Sequence, residues 1–405
     1  MRSLVVAADY PWPRNSGSRI RLSLTLEGLA RCGPVDLFAL VSANRRDLDP
    51  PPPSAAPERV EHVGIDDAAT WRDRVRALTR RDLPFELPAH ETARVSGALA
   101  RFVDGAPAAY DLVWCFRVRA WLLGGEPAWA PVVVDLDDLE DQKIAARVAL
   151  AGRMPAGAAA RWRRRASTTL ARHDLRRWRR LHERIDHAAA ASVVCSELDA
   201  GRSGLAGVCV VVNGYEPPAA PVGRVATGSP PTVVFHGTLR YPPNADAARF
   251  VAEEVAPRLR ALVPGAAVRL VGRADPATGA LHDPPRVTVT GQVPDVTAEL
   301  ARADVVVVPL RFASGTRVKI LEAFAHRIPV VASTIGAEGI DADDGVHLLI
   351  ADDAEATAGA CARLLTDPGL RARMVQRAET LFLERYTGAA TRDAVTALAK
   401  EVTSR

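Results

Sequence analysis

Residues 305–334 read VVVVPLRFASGTRVKILEAFAHRIPVVAST. The four valines at 305–308 predict a short strand that is buried on both faces, and the apolar residues at 329–332 predict a second strand. The interval between them has room for one loop and one short helix. The stretch therefore predicts a strand, a loop, a helix and a second strand in direct succession.

The loop and helix inside this stretch predict an anion site. Gly315 and Thr316 fall where the helix begins, and the unpaired backbone N–H groups at a helix start attract anions. Arg317 and Lys319 add positive charge, and Glu322 lies roughly two turns into the helix. Phosphate is the expected ligand. Such units also occur as plain scaffold in α/β proteins, so the function depends on the rest of the chain.

The composition predicts a globular protein of two domains. The chain has 405 residues, 48% of them hydrophobic and 25% charged, which is ordinary for a soluble protein but long for one core. The opening MRSLVVAADYPWP predicts a buried strand rather than a signal peptide, and apolar runs fall short of the ~18 residues of a membrane span. The five cysteines lack metal-ligand spacing. We expect a cytoplasmic protein, either free or peripheral to the inner face of the membrane.

Apolar runs alternate with helical periodicity in both halves of the chain. The predicted strands are Leu4–Ala8, Val35–Val41, Leu112–Cys115, Val132–Asp135, Ala191–Cys195, Val208–Val212, Val233–His236, Val268–Val271, Arg286–Thr290, Val305–Pro309 and Pro329–Ala332. This alternation predicts an α/β fold of parallel sheets with helices on both faces, one Rossmann-like domain in each half.

The domain boundary is predicted where prolines and small residues replace any periodic pattern, at EPPAAPVGRVATGSPPT. The expected parts are an N-terminal domain over 1–218, a linker over 219–231 and a C-terminal domain over 232–385. The closing segment, 386–405, is helical in pattern and is expected to pack back on the N-terminal domain.

Several motifs in a fixed order carry a resemblance to a known family. The second half holds FHGTLRYPPNADAARF, VRLVGR, VTGQVPDVTAELARADVVVVPL and SGTRVKILEAFAHRIPVVAST followed by GAEGI, and the first half holds PWPRNSGSRIR and VVNGYE. In this order they resemble the retaining glycosyltransferases of the GT-B fold, specifically family 4, or group 1, over nearly the whole chain. The resemblance implies two Rossmann-like domains facing across an interdomain cleft, with an N-terminal acceptor-binding and a C-terminal donor-binding domain.

The resemblance also implies roles for individual residues. Glu322 matches the family glutamate that holds the ribose hydroxyls of a sugar nucleotide. Gly17 lies in the first-domain loop that approaches the donor diphosphate, and Gly237 and Arg240 lie in the matching loop of the second domain. Where the family has the first of two paired glutamates, this chain has Ser314, so the expected sugar contacts differ there.

Further donor-binding positions follow from the same motifs. Gly272 and Arg273 end a strand near the nucleotide. The loop from Gly291 through Val293 to Asp295 resembles the one whose backbone recognises the base. His236 lies at a strand end, where contact with the donor sugar and a hydrogen-bonded packing role are both open.

The implied reaction is transfer of a sugar from a nucleoside diphosphate sugar to an acceptor hydroxyl, with retention and without a metal or other cofactor. Lys319, with Arg317 or Arg240, is predicted to stabilise the departing diphosphate. The acceptor is a lipid-linked glycan, a polysaccharide unit or a secondary metabolite. The alternatives are a sugar-nucleotide epimerase or hydrolase of the same fold, and a non-catalytic module that binds anionic surfaces.

The acidic run VVVDLDDLEDQK, at 132–143, has two interpretations besides a solvated loop. Asp135 and Asp137 form a D-x-D after a strand, an arrangement that holds a divalent metal in GT-A glycosyltransferases. The downstream motifs place the donor in the other domain, so no metal site is predicted. Asp137 and Asp138 are instead predicted to bind the acceptor.

The segment Arg161–Ile185, RWRRRASTTLARHDLRRWRRLHERI, has ten arginines against two acidic residues. A basic helix with interleaved Trp and Leu suits an anionic membrane surface. The alternative is a solvated helix whose arginine stems cover apolar surface. A nucleic-acid partner is not expected.

Overall fold

The computed structural model describes residues 1–43, 45, 48–53, 57–66, 69–80, 83–85, 87–153, 158–222, 230–313 and 315–404, without the side chains of 150–153 and 158–168. It divides into two compact units. The first comprises Met1–Asn213 together with the chain from Ala389 onward, and the second comprises Gly214–Gly388. The predicted linker, 219–231, thus lies in the sequence range of the second unit.

The described part of the first unit contains a seven-stranded parallel sheet with the order β3-β2-β1-β4-β5-β6-β7. Its strands are β1 (Ser3–Ala7), β2 (Val35–Ser42), β3 (Arg59–Ile65), β4 (Leu112–Phe116), β5 (Val132–Asp137), β6 (Ala191–Val194) and β7 (Val208–Val210). The helices that connect them are α1 (Gly17–Ala30), α2 (Trp71–Thr79), α3 (Thr92–Asp104), α4 (Val118–Leu123), α5 (Glu140–Arg153), α6 (Ala158–Ala188) and α7 (Glu197–Ser203), with a 3₁₀ turn at Ala89–Glu91.

The described part of the second unit contains a six-stranded parallel sheet with the order β10-β9-β8-β11-β12-β13. Its strands are β8 (Thr232–His236), β9 (Ala267–Val271), β10 (Val287–Gly291), β11 (Val305–Val308), β12 (Val330–Ala332) and β13 (Leu349–Ile350). Its helices are α8 (Pro242–Phe250), which continues through a π turn at Val251–Val255 into α9 (Ala256–Leu262), then α10 (Pro276–Gly279), α11 (Thr297–Leu300), α12 (Val318–Ala325), α13 (Thr334–Ala337), α14 (Ala354–Thr366) and α15 (Pro368–Arg385).

The last helix, α16 (Gly388–Ser404), packs in the first unit. Its apolar side chains, Val395 and Leu398 among them, lie in one buried cluster with Leu22 and Leu26 of α1. Along β1, neighbouring residues alternate between this cluster and a second one on the other face of the sheet. Apolar residues therefore line both faces, as a parallel sheet covered by helices requires.

The predicted fold class is confirmed: both units are Rossmann-like parallel sheets. Each predicted strand overlaps an observed one. Two observed strands were not predicted. In β3, half-buried and exposed residues alternate, so the strand lacks the continuous apolar run of the others, and β13 has only two residues.

Candidate functional site

The second unit has a topological switch point between β8 and β11. These strands are neighbours in the sheet, but the strands that follow them in sequence lie on opposite sides. In sheets of this order, ligands bind outside the carboxyl ends of the strands at the switch point. His236 is the last residue of β8, and the loop after β11 leads into α12.

Glycines bring the ends of three strands close together there. Gly237 and Gly272 have φ angles of +143° and +134°, which side-chain-bearing residues rarely adopt. Gly237 N donates to Val271 O, and Gly272 N donates to Gly291 O, both at 2.9 Å. A Cβ on Gly272 would lie 1.9 Å from Gly237 O. The predicted positions Gly237, Gly272 and Gly291 therefore form one connected backbone surface.

Lys319, on the first turn of α12, projects towards the same strand ends. Its Nζ donates to Asn244 Oδ1 at 3.0 Å and lies 4.5 Å from the centroid of the Phe235 ring. A Cβ on Gly237 would lie 3.1 Å from this Nζ, so the amine sits against the glycine loop. Burial, followed by the charge of Arg317, lowers the pKa of Lys319 to about 7.

Glu322 lies one turn further along α12, with its side chain 12% exposed and Oε2 3.5 Å from His236 Nδ1. Burial raises the pKa of Glu322 to about 7, although a hydrogen bond from Tyr215 and the charge of Lys319 both act to lower it. The Tyr215 ring also packs edge-on against His326, with ring centroids 6.2 Å apart. Glu322 is thus a nearly buried carboxyl whose proton is lost around neutral pH.

His236 is buried and uncharged at neutral pH. Burial, together with the charge of Lys319, lowers the pKa of His236 to about 3. Its Nε2 is buried and has no hydrogen-bond partner among the residues that the structure describes. At neutral pH the imidazole can act as a hydrogen-bonding group but not as a cation.

The loop before α12 is held by internal hydrogen bonds. The buried Arg317 guanidinium donates to Gly315 O and, at 3.5 Å, to Ile335 O. The Thr316 hydroxyl donates to Gly339 O at 3.3 Å, and Gly315 has a φ angle of +74°. Ser314 lies outside the described residues. The positive charge of Arg317 is therefore inside the loop, while Lys319 presents its charge at the strand ends.

The other predicted donor positions lie on loops after β8, β9 and β10. Arg240 and Arg273 are exposed, and Arg240 N donates to Arg273 O at 3.1 Å, which joins the first two loops. In the third loop Val293 is half-buried and Asp295 is exposed, with its Oδ1 accepting from Thr297 N at 2.9 Å. These positions thus follow the carboxyl ends of three adjacent strands.

Two members of the cluster were not predicted, Tyr215 and Asn244. Tyr215 is held by β-type contacts: its N donates to Tyr386 O and its O accepts from Gly388 N, both at 2.9 Å. Asn244 is buried on α8 and donates to Thr238 O at 3.1 Å, which orients the oxygen that holds Lys319. Both lie within motifs that carried the family resemblance, but nothing in their spacing indicates these partners.

The remaining predicted residues lie in the first unit. Gly17 is the first residue of α1, directly after Ser16, whose hydroxyl caps the helix. Asp137 is buried and pairs with Arg117 at 2.7 Å, and Asp138 lies 3.4 Å from Lys143. Burial would raise the pKa of Asp137, but Arg117 and Arg21 outweigh it and hold that pKa below its usual value.

The D-x-D pair is bound by guanidinium groups. Asp135 is fully buried and accepts three hydrogen bonds from Arg21, at 2.9, 3.0 and 3.2 Å, while Arg117 holds Asp137. Among the residues that the structure describes, no group of three or more His, Cys, Asp or Glu side chains is arranged to hold a metal ion. The pair thus has a structural explanation: Arg21 and Arg117 bind the two carboxylates, and the contact between Asp135 and Arg21 joins β5 to α1.

The arginine-rich segment is helical, but the side chains of 161–168 lie outside the described residues. In the described part, Trp178, Leu181 and Ile185 are buried. Arg177 donates to Arg80 O at 2.9 Å, and Arg184 to Glu126 at 3.1 Å. These two arginines are thus engaged within the first unit, and membrane binding by the segment stays a prediction. No described helix is both long and apolar enough to cross a bilayer.

The architecture and site define the class. Two Rossmann-like parallel sheets, the second with a Lys, Glu and glycine cluster at its switch point, constitute a protein of the GT-B fold. Residues 230–367 match the family model described as "Glycosyl transferases group 1". The resemblance to group 1 glycosyltransferases is therefore confirmed, while family 4 and retention stay predictions.

Solved structures agree over the whole chain. Sucrose-phosphate synthase from Thermosynechococcus elongatus has 17% identity and a TM-score of 0.71, over 100% of this chain and 99% of that one. HepE from Anabaena, in complex with UDP and glucose, has 15% identity and a TM-score of 0.64, over 100% and 99%. WaaG, a glycosyltransferase involved in lipopolysaccharide biosynthesis, has 14% identity and a TM-score of 0.63, over 98% and 99%. No curated protein sequence matches the chain. At these identities the structural likeness establishes the fold.

Proposed function

We propose that the protein is a retaining, metal-independent glycosyltransferase of family 4 that moves a sugar from a nucleoside diphosphate sugar to an acceptor hydroxyl. The observation that carries the proposal is the cluster at the switch point of the second sheet. There Lys319, Glu322 and the bare backbone of Gly237 lie together at the start of a helix that follows a glycine loop. This combination suits a ligand that carries both an anionic phosphate group and a sugar with free hydroxyl groups.

Lys319 and the start of α12 are the proposed diphosphate site. The ammonium group lies against the Gly237 loop, and the first N–H groups of α12 have no side-chain cap from Arg317, the residue before the helix. Both features favour negative charge. Arg240 and Arg273 are exposed cations on the adjacent loops. Arg317 supports the site by holding the loop in shape through Gly315 O.

Glu322 is the proposed ribose ligand. An ionised carboxylate can accept hydrogen bonds from two neighbouring hydroxyls, and the hydroxyl of Tyr215 already orients this one. The loop from Gly291 to Asp295 would then contact the base through backbone groups, and His236 the sugar through its neutral imidazole.

The chemistry assigned to these groups is charge stabilisation. The bond between C1 of the sugar and the diphosphate oxygen breaks, the acceptor oxygen bonds to C1 from the same face, and the acceptor proton passes to a phosphate oxygen. Negative charge grows on the leaving diphosphate, where Lys319 and the helix N–H groups stabilise it more in the transition state than in the ground state. These steps need no protein nucleophile.

The comparisons support a nucleotide sugar as donor. Solved structures of HepE contain UDP with glucose, UDP, and UDP-glucose. UDP-sugars are therefore the first probes. WaaG is a glycosyltransferase involved in lipopolysaccharide biosynthesis, which supports a glycan acceptor, lipid-linked or polysaccharide, ahead of a secondary metabolite.

A thermal-shift panel of UDP, GDP, ADP, dTDP and their sugars tests the proposal. A selective ligand should raise Tm by mass action, and a flat response across the panel would count against it. Turnover of the donor without an acceptor would instead indicate a hydrolase or an epimerase. NMR of the product should show the donor's anomeric configuration, and activity should persist in excess EDTA. An inverted product, or loss of activity with EDTA that added metal restores, would overturn those parts of the proposal.

A further inference from the structure

The helix α2 (Trp71–Thr79) exposes its large apolar side chains. Trp71 is 70% exposed, Val75 51% and Leu78 66%. At 3.6 residues per turn these three residues fall within an arc of about 60° on one face of the helix. The side chains that α2 buries are Asp73 and Ala77, on the opposite face. The amphipathic pattern is thus inverted: the apolar face points away from the protein.

The helix is firmly attached in this orientation. Thr70 and Asp73 form a capping box at its start, and Asp73 also accepts from His90 N at 2.7 Å. At the other end, Arg177 of α6 donates to the carbonyl oxygens of Ala77 and Arg80. Because both ends are hydrogen-bonded to the rest of the unit, the outward apolar face is a feature of the fold.

Basic residues flank the apolar face. Arg72 and Arg74 are exposed on either side of it, and the Arg72 guanidinium lies 5.6 Å from the Trp71 ring centroid. Arg76 follows on the same flank as Arg72. Asp73 is the single acidic residue of the helix, and it is buried on the inward face. On the outward surface of α2, the charged residues beside Trp71, Val75 and Leu78 are therefore all arginines.

This combination favours a lipid surface over a protein partner. Tryptophan and arginine side chains each have an apolar part and a polar part. They therefore suit the boundary between headgroups and acyl chains, where the apolar part contacts the chains and the polar part contacts the headgroups. Anionic headgroups complement the arginines. A stripe of three side chains on a two-turn helix supplies far less than the ~800 Å² that each partner buries in a stable protein interface.

We propose that α2 docks the protein onto an anionic lipid bilayer, with Trp71, Val75 and Leu78 inserted among the headgroups and Arg72 and Arg74 on lipid phosphates. This surface shares no residue with the arginine-rich segment of α6, whose Arg177 holds the C-terminal end of α2. The proposal does not depend on the glycosyltransferase activity, because α2 shares no residue with the donor site.

Flotation of the full chain with vesicles tests the proposal. Vesicles of phosphatidylcholine mixed equally with phosphatidylglycerol should carry the protein, and phosphatidylcholine alone should carry much less. The variant W71S/L78S should bind the mixed vesicles at least about tenfold more weakly, because two large apolar side chains lose their lipid contacts. The matched control is W129S, since Trp129 is also an exposed tryptophan of the first unit, at 49%, and it should bind like wild type.

A second variant separates the charge from the apolar contacts. R72Q/R74Q should weaken binding to the mixed vesicles and reduce its dependence on salt. Equal flotation of wild type and W71S/L78S would overturn the proposal. So would a wild-type protein that stays unbound at low salt, or a wild-type dimer that W71S/L78S converts to a monomer. Unchanged thermal unfolding of both variants checks that the fold is intact.

Discussion

Replacing Lys319 with methionine removes the charge that we assign to the leaving diphosphate and keeps most of the side-chain volume against Phe235. Donor turnover is expected to fall sharply while the protein stays folded. The Nζ lies against Gly237 and is fixed by Asn244 at 3.0 Å.

The magnitude follows from the environment of the amine. A charge-assisted hydrogen bond contributes about 1.5–3 kcal/mol, and the unscreened attraction to one phosphate charge at ~4 Å is about 4 kcal/mol with an effective dielectric constant near 20. We use the lower figure, about 1.5–3 kcal/mol, because Lys319 is only half-buried. At about 1.4 kcal/mol per tenfold, kcat/KM should fall about 10- to 150-fold.

The assay compares kcat/KM for the donor in wild type, Lys319→Met and Arg302→Met, at about pH 6.5 so that the amine is largely protonated. Arg302 is an exposed cation of the same unit, and its variant should match wild type. A Lys319→Met value within about threefold of wild type, under 1 kcal/mol, would refute the assigned role. Thermal unfolding of each variant excludes loss of fold as the cause.

Two further predictions concern pH and backbone strain. Glu322 must lose its proton and Lys319 keep its own, and both pKa values are about 7. Nucleotide-sugar affinity, measured by calorimetry, should therefore peak near pH 7 and fall up to about tenfold per pH unit on either side. The fall at high pH should disappear in Lys319→Met, and the fall at low pH should disappear in Glu322→Gln. An affinity that does not change with pH would contradict this prediction. The second prediction concerns Gly272→Ala, which places a Cβ 1.9 Å from Gly237 O at a φ of +134°. This substitution should lower Tm by at least about 4 °C more than Gly265→Ala does. Gly265 has φ +83° and open space, so equal Tm values would mean that the contact with Gly237 is unimportant.

The fold was largely predictable because buried parallel strands are continuous apolar runs. Val305–Val308 is one such run, fully buried in the structure. Of the two strands that were not predicted, β3 lies at the edge of its sheet and exposes alternate residues, so it has no continuous apolar run. Near the start of the second unit, Tyr215 bonds to the backbone of Tyr386 and Gly388, which are far away in sequence.

The helix that carries Lys319 and Glu322 was predictable, but the contacts of these side chains were not. Lys319 and Glu322 share one short helix, and helical spacing alone places them about one turn apart on the same face. Asn244 lies 75 positions from Lys319, and no local pattern indicates such a pair. The same holds for Asp135, whose carboxylate is bound by Arg21 across 114 positions. The fold as a whole determines which side chains from distant parts of the sequence come into contact.

Calorimetric titration of the full chain with a nucleotide sugar, in wild type, Glu322→Gln and Glu355→Gln, tests the central claim most directly. Glu355 is an exposed glutamate of the same unit and provides the control. We expect one site per chain in wild type and in Glu355→Gln, and binding at least about tenfold weaker in Glu322→Gln, because a charged hydrogen-bond acceptor for the ribose is lost. Absence of binding in wild type for every nucleotide sugar, or equal affinity in wild type and Glu322→Gln, would contradict the claim.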